Sequence, residues 1–408
     1  MNYKVIVLII LTALYLFELM LNILRKQSVS NPVPENVADV YDQETYRKWQ
    51  QYHGEKSRLA VITSTVSYVI HMLLMALNIY AAFASLFPKD LFSQMIAVLL
   101  LTSLSDLLLI PCEWYNTMHI EEKYGFNRSG RKTFVLDQVK GFVIGMIISV
   151  TMGGLLLWIH QSLGDLLIIV FAAVLMLLAF MILFLFPFIS RIFNKFTPLE
   201  DGELKSRLTA LLEKHGYHVR AIQVMDASRR TTKLNAYFTG FGKTKTIVLY
   251  DTLVSTMEPD EICAVFAHEL GHGLHHDTLR NQILTLLQLL IIGVLAWLTV
   301  RTSGIYPPFG FNGLNYGFAI LLIMSVEFEL ISPLFGLLVN WFSRRAEYLA
   351  DAQAVKEGFG ADLISGLKKL AKENFSDLAP NPLLVRLEYS HPTLSQRIVA
   401  IEKQMEKQ

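Results

Sequence analysis

The 408-residue chain carries a net charge of +1, with 53% hydrophobic and only 17% charged residues, against about 25% charged in an ordinary soluble domain. That balance leaves no electrostatic case for nucleic-acid binding and points to a chain embedded largely in lipid. The two cysteines, Cys112 and Cys263, share no metal-ligand spacing with each other or with the histidines, and read as buried thiols.

About 20 apolar residues are needed to cross a bilayer. Runs of that length recur at roughly 4–24, 59–87, 91–111, 141–161, 165–189, 281–301 and 315–342, which predicts seven spans. The first is followed by Arg25 and Lys26 and has no small-residue cleavage site, so it reads as an anchor. Asp106 in the third span and Glu327 and Glu329 in the seventh are expensive in lipid and should face a protein interior or a water-filled cavity. For Asp106, close to Glu113, a place near the span end is an alternative. The polar stretch 27–58, with Pro32 and Pro34, reads as the least regular connection.

Basic residues set the orientation. Arg25, Lys26, Arg47, Lys48, Lys56 and Arg58 follow span one, and Lys123, Arg128, Arg131, Lys132 and Lys140 follow span three, whereas the other side holds Lys4, Lys89 and Arg301. By the positive-inside rule the N-terminus is outside and the C-terminus cytosolic. The chain then divides into spans 1–5 (1–189), a cytosolic region (190–280), spans 6–7 (281–342) and a C-terminal cytosolic region (343–408). Region 190–280 reads as α+β: a charged helix to about His215, strands near Ala221–Met225 and Asn235–Tyr250 turning at Gly240 and Gly242, then a helix from Glu261 to His276. No internal repeat or low-complexity tract is evident.

That last helix, opened by Pro259-Asp260-Glu261, contains His268-Glu269-Leu270-Gly271-His272. Two histidines four apart share one helix face and can grip one zinc ion, with Glu269 beside it to deprotonate a water; the alternative is a chance pentamer on an amphipathic helix. A metzincin would carry a histidine six positions after His272, where Thr278 stands. His276 lies one turn further along, and each such step climbs about 6 Å, too far for one metal to span three of them. His275 and His276 therefore read as neighbours of the site or as surface residues.

Downstream, Asn340, Arg344, Glu347 and Asp351 follow a four-three-four spacing that is one face of a helix. Such a face could simply be solvated. Here it continues directly from an apolar run, and a catalytic zinc needs a third protein ligand beside an open position. Glu347 is assigned as that ligand, giving His268, His272 and Glu347 as the Zn²⁺ set. Asp351, one turn on, is placed to accept the second ring N–H of a ligand histidine, with Arg344 as a further supporting residue on this face.

The chain resembles the integral-membrane CAAX prenyl protease family of the zinc type along nearly its whole length. The resemblance rests on Tyr15-Leu16-Phe17-Glu18, on Asp42-Gln43-Glu44-Thr45-Tyr46, and above all on Glu121-Glu122-Lys123-Tyr124-Gly125-Phe126-Asn127. Phe196-Thr197-Pro198-Leu199, Asn235-Ala236-Tyr237-Phe238, the two site helices and Ser390-His391-Pro392 complete it. It implies a barrel of seven transmembrane helices around a water-filled chamber, with a gluzincin-type zinc site at the cytosolic end. It implies a prenylated or otherwise hydrophobic peptide or protein substrate, from which the three residues after the modified cysteine are removed, and no nucleic-acid partner. It also implies His391 as donor to the tetrahedral intermediate and Asn235, opening an edge strand, as a substrate-binding residue. Without the resemblance, His391 would be a surface turn and Asn235 a turn asparagine. Gly273-Leu274 departs from the Trp-Lys expected of eukaryotic members, which suggests a prokaryotic branch; the membrane would then be the cell inner membrane, and otherwise the endoplasmic reticulum. Two other functions compete: a general membrane quality-control protease, expected to be shorter and without the 121–127 motif, and a zinc-stabilised transporter or scaffold. An intact Glu269 and a set of three ligands argue against the latter.

Overall fold

The computed structural model describes residues 2–164, 173, 177, 189–216, 219–239, 246–275 and 277–407. Six of its helices are long and apolar enough to cross a bilayer. Four precede the sheet: α1 (Tyr3–Ser28), α2 (Gln43–Ala76), α3 (Leu91–Glu121) and α4 (Arg131–Leu163). The span expected at 165–189 lies almost wholly outside the described residues. After α4 come β1 (Phe196–Pro198), α5 (Glu203–Lys214), β2 (Ala221–Met225), β3 (Ala236–Thr239) and β4 (Thr246–Tyr250). Next are α6 (Pro259–Leu274), the two remaining long helices α7 (Asp277–Arg301) and α8 (Tyr316–Lys356), then α9 (Gly360–Glu373) and α10 (Leu394–Met405).

The polar stretch 27–58 is more ordered than its sequence suggests. Asp42 caps α2, its carboxylate accepting from Thr45 N at 2.8 Å, so helix runs from Gln43 through the charged residues and straight into the span. That span also ends early: α2 stops at Ala76, and Asn78 takes a left-handed φ of 59° before a short helix, Ile79–Ala84. Lys4 Nζ closes this end by donating to Ala76 O (2.6 Å) and Asn78 Oδ1 (2.8 Å), which pairs the start of α1 with the end of α2. Within this pair Tyr15 and Tyr68 stack at 4.4 Å, and Thr12–Tyr68 and Tyr15–Thr65 are hydrogen-bonded.

The carboxylates of α8 sit as intramembrane carboxylates must. Glu327 lies in a π-helical stretch, Ile323–Phe328, and accepts from Thr299 of α7. Glu329 lines a cavity of about 340 Å³ with Glu18, and a second of about 380 Å³ that also takes in Tyr15, Tyr68 and His71. Glu329 and Asp106 are both exposed, and Asp106 stands where α3 tightens to a 3₁₀ turn at Leu107–Leu109.

The sheet has order β1-β2-β4-β3, with β2 and β4 parallel and both outer strands antiparallel to their neighbours. β1, within Phe196-Thr197-Pro198-Leu199, has no alternating apolar pattern and was not legible as a strand. Ile247, Val248 and Leu249 of β4 are buried, and β3 is an edge. Leu249 packs with Ile262, Cys263, Phe266 and Leu270, so the sheet lies on α6. Burying a large apolar side chain contributes about 1.5–3 kcal/mol, and α6 is buried on nearly every face.

The approach of α6 to α8 depends on one glycine. A Cβ at Gly271 would stand 2.8 Å from Ala350 Cα and 3.3 Å from Ala350 Cβ. Only glycine against alanine lets the two backbones come this close, and their contact brings residues from either side of α7 together.

Candidate active site

The α6 helix starts at a capping box formed by Glu258 and Glu261 with Pro259 at its first turn, and stops at His275, which is exposed. His268 and His272 lie on its α8-facing side, with ring centroids 4.8 Å apart. Across the gap, Glu347 Oε1 is 3.2 Å from His272 Nε2 and its Oε2 is 3.5 Å from His268 Nε2. Ligand atoms of all three residues fall within 4.8 Å of one another.

These three could hold a metal ion, and the local chemistry fits one. Glu347 Oε2 is buried and accepts no hydrogen bond among the described residues; Arg397 Nη1 stands 3.3 Å away as an ion-pair contact, which leaves this oxygen a lone pair for a metal ion. Each imidazole is held from behind. His268 Nδ1 donates to Asp351 Oδ1 at 2.9 Å, and His272 Nδ1 to Asp277 Oδ2 at 2.9 Å, which turns both Nε2 lone pairs toward Glu347. Burial opposes charge on His272, but Glu347 and Asp277 outweigh it and lift its pKa to about 9, so a proton and a metal ion compete for its Nε2. Glu269 sits between the histidines in sequence, and its burial pushes the carboxyl above the usual range, partly offset by His268 and His272.

His391 also reaches the cluster, its Nε2 3.3 Å from Glu347 Oε1, while 61% of its side chain stays open to solvent. Arg344 does not support the cluster directly. It donates to the carbonyls of Val385 (2.9 Å), in the last turn of a short helix, Pro382–Leu387, and of Tyr389 (2.6 Å), just past its end. Asn340 acts alike on Leu387 O (3.1 Å). Both therefore fasten the segment that carries His391.

Two residues of the site were not foreseen. Asp277 stands five positions past His272, beyond the end of α6, and a carboxylate so near the motif was a usable signal. Arg397 of α10 is buried and grips Asp351 with two bonds (2.9 and 2.6 Å), with Nη1 3.3 Å from Glu347 Oε2. Nothing in its sequence surroundings marks it.

Asn235 immediately precedes β3. Its Oδ1 accepts from Ala236 N at 2.9 Å and its carbonyl accepts from Tyr250 N at 3.0 Å, leaving the side chain exposed at the start of the edge strand. The 121–127 motif supports this approach. Glu121 accepts from Tyr52 and Lys56 (both 2.8 Å), and Lys233 lies 3.6 Å away. Phe126 O accepts from Thr232 N at 3.2 Å, and Asn127 bridges Thr231.

Residues 22–195 match the model of the CAAX prenyl protease N-terminal region with five membrane helices, and residues 198–405 match peptidase family M48. The chain belongs to peptidase family M48. It is 32% identical to CAAX prenyl protease 1 of Saccharomyces cerevisiae, covering 97% of this chain and 94% of that one. The CAAX prenyl protease 1 homologue of Arabidopsis thaliana is 31% identical (95% of each chain), and that of Homo sapiens 28% (91% and 88%). The crystal structure of S. mikatae Ste24p superposes with a TM-score of 0.90 at 29% identity, covering 98% and 99% of the two chains. The protein is thus a helical multi-pass membrane metalloprotease with the Ste24p fold. These relatives come from yeasts, a plant and a mammal, and give no support to the prokaryotic branch suggested by Gly273-Leu274.

Proposed function

We propose that this family member is a zinc endopeptidase that removes the C-terminal tripeptide from prenylated CAAX-type proteins, as the names of its relatives suggest. The observation that carries the proposal is the convergence of His268, His272 and Glu347 beside Glu269. Two imidazoles and one carboxylate suit Zn²⁺ with an open position. When bound, the ion supplies a Lewis acid that acidifies water and polarises the scissile carbonyl. Glu269 takes the proton of the attacking water and passes it to the leaving amine. His391, open on one side and beside Glu347 on the other, donates to the oxyanion that develops on the substrate. The substrate backbone pairs along the free edge of β3, oriented by the amide of Asn235, while Asp351 and Asp277 keep both imidazoles in register.

A cleavage assay on a farnesylated CAAX peptide, run beside a misfolded membrane protein, tests the substrate. Release of the tripeptide is expected; cleavage of the misfolded protein alone would favour quality control. His391→Ala should lower kcat by about 10²–10³-fold, the usual loss of an oxyanion donor, with bound metal unchanged. An unchanged kcat would remove His391 from the reaction.

The surplus of Lys and Arg after α1 and α3 supports a cytosolic zinc site and C-terminus, and the eukaryotic origin of the relatives favours the endoplasmic reticulum membrane. Thiol labelling from outside should reach cysteines introduced near Lys89, Gly164 and Pro307 and miss those near Lys132 and Lys372. A C-terminus labelled from outside would overturn this orientation.

A further inference from the structure

A cavity of about 890 Å³, whose lining includes neither Glu347 nor His391, lies between residues 31–34 just after α1, the 341–348 stretch of α8, and residues 378–396. Both helices change character at its level. The last turn of α1 carries Arg25 and Lys26, and the apolar run of α8 gives way at Trp341-Phe342 to Ser343-Arg344-Arg345. The cavity therefore sits where the chain passes from hydrocarbon to water. Trp341, 50% exposed, has the amphipathic ring that collects at that depth.

Its walls are cationic. Arg344, Arg345 and Arg386 line it, with no carboxylate among the described lining residues. Arg344 is occupied by the carbonyls of Val385 and Tyr389. Arg345 rests 5.9 Å from the Trp341 ring centroid, and neither it nor Arg386 has an ion-pair partner among the described residues. Two free guanidinium groups in one concave wall suit an anion with several oxygens, because each can present a fork of N–H donors. At helical spacing, Trp341 and Arg345 are turned away from the face that carries Glu347 and Asp351, whereas Arg344 and Tyr348 border it. None of His268, His272 and Glu347 lines the cavity, which adjoins the metal cluster without including it.

We propose that this cavity holds the phosphate headgroup of an anionic phospholipid drawn from the leaflet that borders the protease domain. Basic pockets beside transmembrane helices at the membrane surface recognise such headgroups, with the acyl chains remaining in the bilayer. A phosphate bridging Arg345 and Arg386 would tie α8 to the 378–396 segment, which also carries His391.

The test uses the full-length protein in phosphatidylcholine nanodiscs with and without phosphatidylglycerol, read by native mass spectrometry. The parent should retain one phosphatidylglycerol. Arg345→Gln with Arg386→Gln should lower retention by roughly fivefold for each arginine, at an unchanged Tm in pure phosphatidylcholine, and Lys at both positions should restore part of it. Equal retention by parent and Gln variant would overturn the proposal. So would displacement of the lipid by an equal concentration of inorganic phosphate, which would mark a free-anion site. A third overturning result is a raised KM confined to peptides with a free C-terminal carboxylate, with lipid retention unchanged, which would mark a substrate subsite.

Discussion

Replacing Glu269 by alanine is expected to leave one metal ion bound per chain and to lower peptide hydrolysis by about 10²–10⁴-fold, the range of a positioned general base. Glu269 is the carboxylate that the motif places between His268 and His272 without being one of the three clustered ligand atoms. Its side chain is not needed to build the cluster, so metal content measured by mass spectrometry should match the parent. Glu269→Gln should behave the same way, since the amide keeps the shape and loses the base. His268→Ala, His272→Ala and Glu347→Ala should instead lose metal and activity together. Full activity in Glu269→Ala would end the proposed mechanism, and parental metal affinity in Glu347→Ala would move the third ligand elsewhere.

A second large effect is expected at Arg397, far from the motif in sequence. Arg397→Ala leaves Asp351 buried without its bidentate partner, and removes a cation 3.3 Å from Glu347. Removing one partner of a buried ion pair costs about 3–5 kcal/mol, because the other charge stays desolvated. Asp351 also orients His268, and losing such support lowers metal affinity by about 10–100-fold. The expected result is a lower Tm together with weaker metal binding in a chelator titration. Arg397→Lys should recover only part of both, since an ammonium keeps the charge but not the planar fork. A variant with parental Tm and metal affinity would show that Arg397 is dispensable.

Much of this protein could be read from the chain because the relevant signals are local. A bilayer demands about 20 apolar residues per helical span, so the span positions are written as composition. The four-residue spacing of His268 and His272, and the four-three-four spacing of Asn340, Arg344, Glu347 and Asp351, follow from helix periodicity alone. Local signals also misled where a cap or a turn decided the outcome. Asp42 starts α2 well inside the polar stretch, and Asn78 ends it before the apolar run is exhausted.

Tertiary structure decided what distance in the chain conceals. Glu347 meets the histidines because Gly271 and Ala350 let α6 and α8 touch, with α7 and most of α8 between them in sequence. Arg344 shares the ligand face of α8 by periodicity, yet it turned to the carbonyls of Val385, in the last turn of a short helix, and of Tyr389 just beyond it, a demand for donors that a spacing rule does not register. Arg397 entered the site by packing of α10 on α8. Its role is electrostatic compensation of Asp351 and Glu347, a property of the folded interior: in water these carboxylates need no partner, and only their burial creates the need for a cation.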